Sequence, residues 1–201
     1  MFLKDQQTRS RLSDMDIFQI KDILSTFEVL IDSREHDTPE FRRRCEALEV
    51  PWSRAKLNYG DYTYNITFPD GRKLFDIENP IDPFCSIERK ESLTELSGNF
   101  TKNRDRFRRE FERAEDKGAR IYLICENGSW ESVINGRYRT RFNPNAYMAS
   151  LVAYAVRFNA NLIFCKAETV PQLIREILYR DLKERLEKGV IQWEENLTQQ
   201  E

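Results

Sequence analysis

The stretch Phe84–Leu96, FCSIERKESLTEL, constrains this chain more than any other. Cys85-Ser86-Ile87 reads as the start of a strand, and Glu88-Arg89-Lys90 continues it. Side chains two apart on a strand leave from the same face, so Glu88 and Lys90 stand side by side and Arg89 points the other way. Upstream, in Leu57-Asn58-Tyr59-Gly60-Asp61-Tyr62, a glycine lets the backbone turn tightly just before a second carboxylate. Two carboxylates and a lysine supplied by adjacent strands are the groups that metal-assisted phosphodiester hydrolysis needs. Asp61 and Glu88 are the candidate ligands for Mg²⁺, with Mn²⁺ as a substitute. Such an ion polarises a phosphate and acidifies a bound water. Lys90 is placed to orient that water or to offset phosphate charge.

The rest of the chain alternates helical stripes with short apolar runs. Helices are predicted over 14–27 (Ile17, Ile20, Ile23 and Leu24 inward), from Pro39 to Leu48, over 99–117, 130–134 and 145–158, and over 170–188. In the 99–117 segment Phe100, Phe107, Phe111 and Ala114 form one stripe, which reads as core. Strands are predicted over 29–32, 54–57, 61–68, 84–90, 120–125 and 162–165, with 72–77 returning from a Pro69-Asp70-Gly71 hairpin turn. This order predicts an α/β fold: a mixed sheet with helices on both faces. The main domain is read as 28–189, preceded by a tail and short helix over 1–27. A tail over 190–201 follows, carrying Ile191, Trp193 and Leu197.

Composition sets limits. With a third of its residues charged and 40% hydrophobic, the chain fits a globular protein, and no apolar run approaches the about 18 residues of a membrane span. The first thirteen residues are polar and mixed in charge, unlike a signal or transit peptide, so the expected compartment is cytoplasmic. A net charge of −2 does not advertise a nucleic-acid binder, but local basic runs stand at 42–44, 102–113 and 137–141. Within them Arg104, Arg106, Arg137 and Arg139 are candidate phosphate contacts. Helical spacing pairs Arg106 with Glu110 and Arg108 with Glu112. The four cysteines lie forty residues apart in unrelated contexts, Cys125 and Cys165 read as buried thiols, and with His36 as the sole histidine a zinc site is not expected.

Four motifs in this order resemble the XPF-type nuclease domain of the restriction-endonuclease-like superfamily. They are Val29–Glu35 (VLIDSRE), Gly60-Asp61-Tyr62, Glu88-Arg89-Lys90 and the arginine-rich segment 99–112. The resemblance implies a restriction-endonuclease-like sheet and a divalent-metal-dependent DNA endonuclease. It makes Asp61, Glu88 and Lys90 catalytic, Asp32 a further acid, and Glu35 a supporting or metal-holding group. Arg34 and Arg89 are supporting residues by the same likeness. Relatives place an acid four residues beyond the lysine, where this chain has Thr94. Glu95, one position later, is the candidate supporting acid.

About thirty-five residues follow Cys165, and they show no helix-hairpin-helix signature of the kind that long XPF-type proteins carry. The resemblance is therefore to the compact stand-alone form found in phages and prophages, with roles in DNA recombination, repair or processing. DNA is the expected partner, and a homodimer or protein partner stays open. So does a second reading, a non-catalytic member of the fold that binds DNA or protein as an accessory or counter-defence factor. The displaced acid at Glu95 argues for it; the intact Asp61, Glu88 and Lys90 argue against it.

Overall fold

In the computed structural model, which describes residues 15–193, seven α-helices and six β-strands follow one another. Helix α1 (Ile17–Ser25) opens on a capping box in which the Asp16 carboxylate accepts from the Phe18 and Gln19 N–H groups. It buries Ile20, Ile23 and Leu24, whereas Ile17, expected inward, is 75% exposed because it occupies the first helical position, ahead of the packed turns. Strand β1 (Glu28–Asp32) leads to α2 (Pro39–Glu46), which is capped by the Thr38 hydroxyl. Then come β2 (Trp52–Ala55), β3 (Tyr62–Asn65) and β4 (Cys85–Lys90). Helices α3 (Leu93–Asn99) and α4 (Arg104–Asp116) precede β5 (Arg120–Glu126). Helix α5 (Trp130–Ile134), α6 (Pro144–Arg157), β6 (Asn161–Cys165) and α7 (Val170–Glu187) complete the fold. The predicted polar segment 1–13 and the tail residue Leu197 lie outside the described residues, while Ile191 is buried in the core and Trp193 packs against it.

The six strands form one sheet in the order β2-β1-β3-β4-β5-β6. Strand β3 runs antiparallel to both neighbours, and the other adjacent pairs are parallel. Side chains from α1, α2 and α7 cover one face with Val29, Ile31, Tyr62, Tyr64, Cys85 and Ile87. Helices α3 to α6 cover the other, over Ile121, Leu123 and Cys125. The mixed sheet covered on both faces is the predicted architecture. No helix among the described residues is long and apolar enough to cross a membrane.

Three local expectations change. The helix predicted over 99–117 begins only at Arg104, as α4, and an unpredicted helix, α3, ends at Asn99; the Thr101 hydroxyl donates to the Ser97 carbonyl (3.0 Å) and the Asn103 N–H to the Gly98 carbonyl (3.1 Å), closing α3 before α4 begins. Phe100, in the break, still packs edge-on to Phe107 at 5.6 Å. The return strand over 72–77 is absent among the described residues, although the turn at Gly71 forms with φ of 84°. There the Asn65 amide holds the Phe75 N–H (2.9 Å) and carbonyl (3.1 Å), a side-chain substitute for the ladder, and only a Thr67–Lys73 bridge remains. The strand expected over 54–57 begins and ends earlier, as β2, and pairs with β1 rather than across the Gly60 turn. All four cysteines are free thiols, with Cys165 only half-buried.

Candidate active site

Strand β4 alternates as its sequence dictates. Cys85 and Ile87 enter the core on the α7 side, so Ser86, Glu88 and Lys90 face α4. Glu88 and Lys90 are only 4% and 8% exposed. Lys90 Nζ lies 2.6 Å from Glu88 Oε1 and 5.7 Å from the Phe107 ring centre. Glu88 Oε2 is buried and has no hydrogen-bond partner.

Asp61 is stitched between β1 and β4. Its N–H donates to the Ile87 carbonyl (2.8 Å), and its own carbonyl accepts from the Asp32 N–H (2.8 Å). Its Oδ2 accepts from the Arg89 N–H at 2.7 Å, which holds the carboxylate at the backbone of the residue between Glu88 and Lys90. Gly60 makes this approach possible. It sits at φ of 74°, and a Cβ there would stand 2.7 Å from Ser86 Cβ. Gly60→Ala is therefore expected to cost at least about 2 kcal/mol, read as a lower urea midpoint at unchanged slope. A midpoint equal to wild type would mean that this contact is loose.

The remaining candidates divide. Asp32 is on the same face but committed to Arg34, whose Nε lies 3.0 and 2.9 Å from its two oxygens and whose Nη2 also pairs with it. The same Nη2 reaches the Leu57 carbonyl at 3.0 Å, so Asp32 holds a guanidinium in place and is not a free acid. Arg34 itself is 61% exposed at its side chain. Glu95 does reach the site. Ser92 caps α3 and turns it sharply after β4, leaving Glu95 Oε1 3.8 Å from Lys90 Nζ while Oε2 accepts the Glu91 N–H at 2.7 Å.

Glu35 and Arg89 do not join this cluster. Arg89 pairs with Glu126 (2.6 Å) and Glu35 with Arg44 (3.4 Å), and all four line a cavity of about 870 Å³ against α2 and the start of α7. The basic run 42–44 is likewise occupied, by Asp37, Glu40 and Glu35 in turn.

A family model of the ERCC4 domain matches residues 31–172. The chain belongs to the ERCC4-domain family. Its fold is similar to XPF from Aeropyrum pernix, with 19% identity and a TM-score of 0.54 over 85% of this chain and 69% of that one. A structure of XPF from Aeropyrum pernix in complex with DNA gives 19% identity and a TM-score of 0.53 over 79% of this chain and 66% of that one. The chain thus spans about two thirds of the length of those structures. No curated protein matches it in sequence. The expected XPF-type, restriction-endonuclease-like domain is what these residues form.

In this ERCC4 domain the buried charges of Asp61, Glu88 and Lys90 perturb one another. Burial pushes Asp61 up to about 6; Lys90 pulls it back, and Glu35 and Glu110 add to the rise. Glu88 is driven well above the usual carboxylate range by burial and then by Asp61. Burial also works against the charge on Lys90, but Glu88 and then Asp61 outweigh it and keep the ammonium protonated. Among the described residues no three His, Cys, Asp or Glu side chains are close enough to hold an ion by themselves. Two carboxylates suffice for Mg²⁺, which keeps several of its waters. The unpartnered Glu88 Oε2 and the partly exposed edge of Asp61 fit that demand.

One residue near the site was not anticipated. Glu110 does not pair with Arg106 in α4; it turns inward, and its Oε1 accepts the Gly60 N–H at 3.3 Å. The other predicted pair, Arg108–Glu112, forms at 3.2 Å. The signal for Glu110 was its position three after Phe107 and one before Phe111, on the border of the buried stripe.

Proposed function

We propose that this chain is a divalent-metal-dependent DNA endonuclease, with Asp61 and Glu88 holding Mg²⁺ or Mn²⁺ and Lys90 serving the attacking water. The observation that carries this reading is the buried, unpartnered Glu88 Oε2 beside Lys90, on a strand whose next N–H holds Asp61. The bound ion supplies Lewis acidity and a water of lowered pKa. Lys90 is a positioned donor at the place where phosphate charge develops, fixed between Glu88 and the Phe107 ring. Arg34, held by Asp32 with its guanidinium open to solvent, is placed to meet a phosphate.

DNA as the substrate is supported by the family and by the related XPF structure solved with DNA. Two exposed arginine groups would receive its backbone. Arg104 and Arg106 stand on the outer face of α4. Arg137 and Arg139 project from a loop fastened to α3, where the Arg139 N–H donates to Thr94 Oγ1 (3.0 Å) and Thr140 Oγ1 meets Ser97 Oγ (3.0 Å). Tyr138 is a packing residue, edge-on to Tyr147 at 5.1 Å, and not a stacking platform.

The test is incubation of the pure protein with labelled duplex, single-stranded, flap and fork DNA in Mg²⁺, Mn²⁺ or EDTA. Cleavage of at least one substrate in metal and none in EDTA is expected. No cleavage under any condition, with DNA bound, would leave a binding module. Affinity should fall steeply with salt, and replacing Arg104 and Arg106 by Gln should flatten the log–log salt slope by about 0.9 for each phosphate contact removed. An unchanged slope would move the path to Arg137 and Arg139.

A further inference from the structure

Glu110 has features that its place on an arginine-rich helix does not explain. The five residues on either side of it include four arginines, yet no ion pair to Glu110 forms within 4.0 Å among the described residues. Instead Glu110 is half-buried, and its carboxylate takes the N–H of Gly60, the residue before Asp61. Gly60 in turn packs against Ser86, two residues before Glu88 on the same face of β4. Glu110 thus brings a third negative charge to Asp61 and Glu88. Lys90 opposes them, and the Arg34 guanidinium nearby is already bound to Asp32. A helix with free arginines at hand keeps a carboxylate in that position at an electrostatic cost, unless a cation is there to offset it.

We infer that Glu110 is an acidic group for the cation held by Asp61 and Glu88, acting on it through a bound water while fixing the Gly60–Asp61 turn. The inference rests on the metal-dependent reading above. A water-mediated contact follows from the geometry: one Glu110 oxygen is taken by the Gly60 N–H, and the three carboxylates are not close enough to share one ion directly. The buried Glu88 Oε2, without a partner, is the independent sign that a ligand belongs at this junction. Glu110 is accordingly a positioning residue, and its charge is expected to count as well as its shape.

Glu110→Gln separates the two, because the amide oxygen can still accept the Gly60 N–H. Calorimetric titration of the metal-free full chain with MnCl₂ should show the variant binding about tenfold more weakly than wild type at the same stoichiometry. Its melting temperature in EDTA should not be lower. Glu110→Asp keeps the charge and should retain most of the affinity, and Glu112→Gln, which loses only the surface pair with Arg108, should bind as wild type does. Wild-type affinity in Glu110→Gln, or equal losses in the Gln and Asp variants, would overturn the role of the charge while leaving the metal site standing. Failure of wild type to bind Mn²⁺ at all would overturn both this inference and the proposed function.

Discussion

Glu88→Gln is expected to lower cleavage by about a thousandfold, some 4 kcal/mol of barrier, without loosening the metal-free fold. The amide nearly preserves the shape and leaves Lys90 an oxygen to contact. It removes a charge that burial and Asp61 both oppose. The pH behaviour follows from the same groups. Asp61 and Glu88 have folded pKa values raised above their unfolded ones, so over that window the folded state binds more protons than the unfolded state. The metal-free wild type should gain stability from these groups as pH falls through about 6 towards 4, and lose it as pH rises. Melting curves in EDTA should therefore show wild type more sensitive to rising pH than Glu88→Gln. Identical pH profiles would mean that Glu88 binds its proton no more tightly in the folded protein than in the unfolded chain.

Lys90→Ala is expected to act on both stability and rate. It removes the cation 2.6 Å from Glu88 Oε1 and leaves that carboxylate with no partner on either oxygen. Breaking a buried pair in this way costs about 3–5 kcal/mol. Because Glu88 can take up a proton, the loss should sit at the lower end and shrink at acid pH. Cleavage should fall about a hundred- to a thousandfold, the effect of losing one positioned donor. A divalent ion should restore much of the stability, since it supplies the missing positive charge, but it should not restore cleavage. Urea titrations with and without Mg²⁺, run beside single-turnover assays, separate the two effects. Recovery of cleavage along with stability would show that Lys90 is only structural.

Much of the site was legible because its signals are local. The period of two along β4 put Glu88 and Lys90 on one face, and a glycine before Asp61 announced a turn that now proves to lie against Ser86. The two-sided fold followed from apolar runs of strand length between helical stripes. What was not legible depends on side chains that replace backbone bonds. Asn65 takes over the pairing of 72–77, and the turn at Thr101 delays α4 to Arg104 although its aromatic stripe starts at Phe100. Asp32 and Arg34 read as two site groups, and only the turn after β1 folds one onto the other. Glu110 obeyed the i,i+4 rule with Arg106 in sequence, but the half-buried edge of α4 and a free N–H at Gly60 outweighed a surface pair worth a few tenths of a kcal/mol.

In the proposed mechanism Asp61 and Glu88 act together on one cation beside Lys90. Single-turnover cleavage of one labelled DNA substrate by wild type, Asp61→Asn and Glu88→Gln, with Mg²⁺ and with EDTA, tests it most directly. Cleavage by wild type in Mg²⁺ alone is expected, with a loss of at least about a hundredfold in each variant and all three proteins folded. Cleavage that persists in EDTA, or that either variant performs at the wild-type rate, would contradict it.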